Sequence, residues 1–355
     1  LINYPHYCSE QLISAAIPYL VQQQHPEFKL IDADQEKGRE VHKAVLAALS
    51  TRQNASGGIG NWKATPEVDP FVTAYALHYM LELKSNNIAV PESLLQNANN
   101  YLNAYASNPA YNDLPSLRLK AYIAYLTARQ EQIPTNLLAA VNRDMNKYYP
   151  EELKSDLTGA YMAATYKILK QDKEADALIE YSLKELNRKN YGKWYNGGYY
   201  DNLVRDASML YLIQSHFPKQ ALALAPEALE NIARPLIENR FTTLSSSMCM
   251  LALNKYAGHD TVQQGEISIL QADGPDMGKA RVISEITGLL SSAVFNANAK
   301  ALLLNKSVPL PAWYAMEQSG FDLKASDSPI KNGLEVTKEY YDLKGEPVSE
   351  VKLGQ

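Results

Sequence analysis

Near the start of this 355-residue chain, in YPHYCSEQLISAAIPYL (4–20), a cysteine and a glutamine stand three positions apart where an aromatic-rich lead-in becomes an apolar helical pattern. On a helix, Cys8 and Gln11 occupy i and i+3 on one face, close enough for their side chains to meet. A helix amino terminus favours thiolate over thiol, which would make Cys8 a better nucleophile than a buried cysteine. Attack of its sulfur on the Gln11 side-chain carbonyl, with loss of ammonia, would close a small thiolactone ring. The product is an activated acyl group held on the protein. Such a bond persists only where water is excluded, which would give Tyr4, Tyr7, Trp62 and Tyr195 a role as aromatic cover. Cys-x-x-Gln is also a common spacing, and spacing alone leaves a coincidence of helical geometry as the favoured account.

Other chemistry finds less support. The six histidines, His6, His25, His42, His78, His216 and His259, are scattered, and there is no HExxH or CxxC to hold a metal. Cys8 and Cys249 are too few for a disulfide scaffold. SGGIGNW (56–62) and YNGGYYDN (195–202) are Gly-rich but lack both the preceding strand of GxGxxG and the lysine of GxxxxGK[ST], so neither reads as a phosphate cradle. A net charge of −5 and a pI near 5.8, without a Lys/Arg run, argue against nucleic acid and anionic membrane surfaces. No stretch approaches 18 consecutive apolar residues, and no signal peptide is evident.

The elements that must position Cys8 are repeats. VTAYALHYML (72–81), LKAYIAYLTA (119–128), TGAYMAATYK (158–167), RDASMLYLIQ (205–214) and SSSMCMLALN (245–254) share a small-residue, tyrosine-rich pattern. Aligning Ala74, Ala121, Ala160, Ala207 and Met248 gives steps of 47, 39, 47 and 41 residues. Between them, near 37–50, 92–106, 135–148, 173–187 and 226–239, lie amphipathic patterns with one polar face. Helices with few charges on any side must be buried all round, and their amphipathic partners sit outside. With SEQLISAAIPYLVQQQ as the first inner helix, this predicts six hairpins of about 40 residues. An open stack needs polar caps, and the first and last inner helices are as apolar as the middle ones, so a closed α/α toroid over 1–258 is expected. The two Gly-rich loops each precede an inner helix, which puts them on the rim that carries Cys8.

Past Gly258 the pattern changes. GEISILQA, KARVISEI, AKALLLN and PAWYAMEQSGF are short β-prone runs separated by Gly, Pro and Asp, which predicts a small antiparallel β domain over 259–325. NGLEVTKEYYDLKGEPVSEVKLGQ has strand patterns around a turn at Lys344-Gly345 and reads as the beginning of a further β domain, 326–355. The chain is therefore expected to be a fragment.

YPHYCSEQ resembles the YPxGCxEQ motif of the alpha-2-macroglobulin and complement thioester proteins, their bacterial members especially. GGIGNWKATPEVDPFVTAYALHYMLELK (57–84) is similar to that family's Gly-Gly, Trp, Asp-Pro, Thr-Ala-Tyr-Ala segment. RFTTLSSSMCMLALNKYA (240–257) resembles its last inner helix, and the final stretch resembles the start of its macroglobulin-type β domain. The resemblance implies an α/α toroid thioester domain flanked by a CUB-like β domain, with Cys8 as the thiol, Gln11 as the acyl donor and Glu10 as the motif's acid. It implies a single-use trap and not an enzyme: a cut bait region, lying elsewhere in the full protein, exposes the thioester to nucleophiles on the attacking protease. Target proteases and other domains of the same protein would be the partners, without a cofactor or nucleic acid, in the periplasm or at the cell surface.

One departure stands out. The family's glycine before the cysteine is Tyr7 here, and its preceding aromatic is His6. Tyrosine is poorly suited to a backbone that needs positive φ or close approach, so the loop must differ. No residue of the third inner helix matches the histidine that accelerates transfer in some complement proteins. Two alternatives remain open: the same fold with its thioester lost, serving as an interaction module, and an α/α-toroid enzyme such as a terpenoid cyclase or polysaccharide-cleaving enzyme. The latter would use rim acids among Asp69, Asp113, Asp156, Asp201 and Asp206. Helix capping or first-turn charge suits those positions better, and no DxDD or DDxxD motif is present.

Overall fold

A computed structural model of the chain describes residues 7–26, 31, 35–189, 196–257, 267–286, 293–307, 314, 316–317, 320, 337 and 339–349. The chain forms two compact units, Leu1–Leu310 and Pro311–Gln355. In the first, helices alternate in character: α1 (Ser9–Gln24), α2 (Gln35–Arg52), α3 (Pro70–Ser85), α4 (Glu92–Ala106), α5 (Leu114–Ala128), α6 (Thr135–Tyr148), the single turn α7 (Glu152–Ser155), α8 (Leu157–Ile168) and α9 (Asp172–Leu186). A two-residue hairpin, β1 (Asn196–Gly197) and β2 (Tyr200–Asp201), leads into α10 (Asn202–His216), the short α11 (Pro218–Ala221), α12 (Pro226–Ile237) and α13 (Thr243–Ala257).

The tyrosine-rich patterns are the inner helices. In α3 every residue from Val72 to Leu83 is buried, whereas α6 buries only Leu138, Val141 and Met145, an i, i+3, i+7 stripe. The inner helices pack in sequence, α1 on α3, then α5, α8, α10 and α13, and α13 packs back on α1. The ring is closed. The outer helices α2, α4, α6, α9 and α12 each lie against the inner helix that precedes them. Among the described residues α13 has no such outer partner.

Four of the rim aspartates start inner helices. Asp69, Asp113, Asp156 and Asp201 each accept a hydrogen bond from a first-turn N–H, of Phe71 (2.9 Å), Ser116 (2.8 Å), Thr158 (2.8 Å) and Val204 (2.7 Å). Such caps satisfy donors that the helix itself cannot. Asp206 differs from the expected first-turn charge. It lies one turn deeper in α10, fully buried, with carboxylate oxygens 2.5 Å from Arg188 and 2.9 Å from Arg205. Two guanidiniums make that burial tolerable.

At the carboxyl ends of the inner helices a charged cluster fills the ring. Glu82 of α3 accepts from Arg129 (2.8 Å) and from the Tyr211 hydroxyl (2.6 Å), with His78 one turn earlier at 3.5 Å. Burial alone would raise the Glu82 pKa, but the His78 hydrogen bond and the Arg129 charge outweigh it and hold the carboxyl well below the usual range.

The β-prone runs form a three-stranded antiparallel sheet, β3 (Ile267–Ala272), β4 (Arg281–Ile286) and β5 (Ala301–Lys306), in the order β4-β3-β5 with a register shift between Ile269 and Leu270. The described residues of PAWYAMEQSGF, Tyr314, Met316, Glu317 and Gly320, are in no strand. The second unit contains β6 (Tyr340–Tyr341) paired with β7 (Pro347–Val348). The expected Lys344-Gly345 turn joins them, with Gly345 at φ 85°. The domain boundaries expected after residues 258 and 325 lie outside the described residues.

Candidate functional site

Cys8 is the N-cap of α1. Its extended backbone (φ −65°, ψ 163°) turns the chain into the helix, and a capping box pairs it with Gln11. The Cys8 sulfur faces the Gln11 backbone N–H, and the Cys8 N–H donates to Gln11 Oε1 at 3.3 Å. Nucleophile and carbonyl thus share one helical turn, as the i, i+3 spacing requires. The donor on Oε1 also sits where negative charge would develop if sulfur attacked the carbonyl carbon.

The thiol is partly buried, and this corrects the expectation from the helix terminus. Burial raises the Cys8 pKa, the Glu10 carboxyl adds to that, and the Gln11 N–H and the Arg52 charge only partly offset it. The neutral thiol is the favoured form.

The end of α2 and the loop after it hold this turn. Ser9 N–H donates to Asn61 O (2.8 Å) and Ser9 Oγ to Gly60 O (2.7 Å), while Arg52 bonds both Ser9 Oγ (3.2 Å) and Asn61 O (2.9 Å). SGGIGNW therefore cradles α1 and not a phosphate. The glycines are needed for close approach: a Cβ on Gly60 would stand 2.1 Å from Lys63 O, and one on Gly57, at φ 92°, equally close to Asn97 O.

Glu10, only 5% exposed, ties α1 to α13. Its carboxyl accepts from Ser14 Oγ (2.7 Å) and from Thr243 Oγ1 (2.9 Å), 233 residues away. Ser14 continues the network to the fully buried Tyr75 hydroxyl (3.1 Å), which meets Ser247 Oγ at 2.6 Å. Burial raises the Glu10 pKa more than these hydroxyl bonds lower it. Nothing in the sequence singled out Thr243, Tyr75 or Ser247, because their connection to Glu10 exists only in the closed ring.

Of the expected aromatic cover, Tyr4 and Tyr195 lie outside the described residues. Tyr7 and Trp62 are each 62% exposed, so both flank the site with most of their surface free. A tyrosine missed by sequence reading is more closely engaged. Tyr199, in the second Gly-rich loop, accepts from Asn61 Nδ2 (3.2 Å) and stacks on Phe71 at 4.8 Å. It borders a cavity of about 420 Å³ in the mouth of the ring, whose lining includes the aromatic side chains of Tyr75, Tyr122 and Tyr161. Among the described residues no group of three or more His, Cys, Asp or Glu is placed to hold a metal ion, and no helix is long and apolar enough to cross a membrane.

No family model matches the chain. Over its whole length it is 41% identical to an alpha-2-macroglobulin homolog of Yersinia pestis and 32% identical to an alpha-2-macroglobulin of Pasteurella multocida. It spans 18% and 19% of those proteins. Salmonella alpha-2-macroglobulin reacted with methylamine matches 85% of this chain and 18% of its own, at 18% identity and a TM-score of 0.59. Escherichia coli alpha-2-macroglobulin activated by porcine elastase matches 85% of this chain and 25% of its own, with the same identity and score. At that identity the structural likeness is one of fold. The whole-chain sequence identity makes this chain a homologue of a segment of bacterial alpha-2-macroglobulins that is just under a fifth of their length.

Proposed function

We propose that this chain carries the covalent-capture step of a protease inhibitor, through a thioester between Cys8 and Gln11. The observation that carries the reading is the shared turn, with the Gln11 carbonyl on the Cys8 N–H and the sulfur on the same cap. In forming the bond, Cys8 Sγ attacks Gln11 Cδ, the C–N bond breaks, and the amide nitrogen leaves as ammonia with the thiol proton. In capture, an amine of the target attacks the same carbon, an amide forms, and Cys8 is released as a thiol. Gln11 is consumed once, so the protein is a trap without turnover, and the chemistry needs no cofactor.

Two proteins of the same fold support the reading: the Salmonella alpha-2-macroglobulin, reacted with methylamine, a small amine nucleophile, and the E. coli one, activated by elastase. Target proteases and the remaining domains of a longer protein would be the partners, in the periplasm or at the cell surface. The test is intact mass of the freshly purified full-length protein. A mass one ammonia below the sequence value, methylamine gained at Gln11 and a newly alkylatable Cys8 are expected. A mass at the sequence value with Cys8 alkylatable from the start would sink the thioester.

That second outcome describes the other reading, an interaction module that has lost its thioester. The exposure of Tyr7 and Trp62 beside a half-buried thiol is what favours it.

A further inference from the structure

The rim opposite Cys8, where the inner helices end, contains a polar cavity of about 430 Å³. It lies between the carboxyl ends of α1, α10 and α13, beside Arg129, and neither Cys8 nor its network borders it. Its volume falls in the range of small-molecule sites. Two features of its wall are unusual.

The first is a set of acceptors without donors. Asn254, 4% exposed, has no partner for its Oδ1, and neighbouring Ser215 has none for its Oγ. The orientation of the Asn254 amide is set by a relay. Asn86 Nδ2 donates to the Glu82 carbonyl (2.8 Å), Gln24 Nε2 donates to Asn86 Oδ1 (2.5 Å), and Asn254 Nδ2 donates to Gln24 Oε1 (2.8 Å). Flipping any amide would set oxygen against oxygen, so the Asn254 group left over is an acceptor. A buried acceptor without a donor is costly. Helix carboxyl ends add partial negative charge at the same place.

The second is a cation in no close ion pair. Arg129 is paired with Glu82 at 2.8 Å, and burial lowers the His216 pKa to about 4, leaving that ring neutral. Lys255, half-buried in the last turn of α13, has no ion pair among the described residues. The same cavity wall thus offers acceptors for a donor-bearing cation and, from Lys255, a positive charge for an anion.

We infer that this cavity binds a small zwitterion, its ammonium on Asn254 Oδ1 and Ser215 Oγ and its carboxylate on Lys255. Free α-amino acids and short peptides both have this chemistry, and their lengths separate them.

The inference is tested by calorimetric titration of the full-length protein at neutral pH with L-alanine, L-alanyl-L-alanine, propionate and ethylamine. Saturable binding of alanine is expected, with propionate and ethylamine at least about tenfold weaker because each lacks one charged arm. Tighter binding of the dipeptide than of alanine would assign the site to peptides, the reverse to free amino acids. Lys255→Met should weaken alanine at least about tenfold. Ser215→Ala, which removes an unpartnered hydroxyl and so leaves the fold intact, should weaken it less. The inference fails if neither zwitterion gives saturable heat up to about 10 mM, which would mean that only water fills the cavity. It also fails if propionate binds as well as alanine, or if Lys255→Met binds like the parent.

Discussion

The two ends of the ring each bury a glutamate, and the two carboxyls are driven in opposite directions. At the amino end Glu10 faces the hydroxyls of Ser14 and Thr243, and burial raises its pKa. At the carboxyl end Glu82 faces Arg129 and His78, which pull its pKa far down against the same burial. Burial is common to both, so the neighbouring cation decides. At the amino end, beside a half-buried thiol, the Glu10 carboxyl is held by neutral hydroxyls. The carboxyl end is clamped by a charge pair. The Cys8 turn and the Glu82–Arg129 pair lie toward opposite ends of the inner helices, and the 16-residue α1 is about 24 Å long.

The contrast can be broken most completely at Cys8. Cys8→Ser should abolish methylamine incorporation at Gln11 while leaving the unfolding midpoint nearly unchanged, because the serine still caps α1. A mass-spectrometric gain of methylamine in that variant would contradict the proposed thioester. At the other end, Arg129→Leu strands the Glu82 carboxylate in the core, and denaturant titration should show a loss of about 3–5 kcal/mol. Alkylation of Cys8 in that folded variant should proceed as in the parent if the two ends are independent.

Acid should separate Glu10 from a buried histidine next. His42, buried on α2 against the Tyr79 hydroxyl at 2.7 Å, has its pKa lowered from 6.5 to about 4. The unfolded chain then binds more protons below pH 6.5, so stability present above that value is lost as pH falls toward 4, by about 3 kcal/mol for this group. Glu10 has the opposite sign: its folded pKa is raised, so stability falls as pH rises from the ordinary carboxylate range through the folded value. Glu10→Gln should flatten the second slope in a pH series of unfolding midpoints and leave the first. Asp113→Ala removes a single exposed cap and should cost about 1 kcal/mol by denaturant titration, without effect on Cys8.

Much of this fold was legible because its signals are local. The outer pattern expected at 92–106 is α4 and that at 135–148 is α6, since amphipathic stripes and Pro or Asp starts depend on residues a turn apart. Cys8 and Gln11 were legible for the same reason, as partners at i and i+3. Asp206 was misjudged because its sequence position near a helix start said nothing of Arg188, which reaches it from the segment after α9. Tyr199 was passed over for Tyr195 in the same loop, since only the tertiary approach of Asn61 distinguishes them.

The amino-acid sequence by itself determined which segments become inner and outer helices, where Asp69, Asp113, Asp156 and Asp201 begin them, and that a thiol and a carboxamide share one turn. Tertiary structure alone decided that the thiol is half-buried and favours its protonated form, that Glu10 closes α1 onto α13 through Thr243, and that Lys255 is left beside unpartnered acceptors. Helical periodicity is set by contacts a turn apart, whereas desolvation and charge pairing depend on groups that only the closed ring brings together.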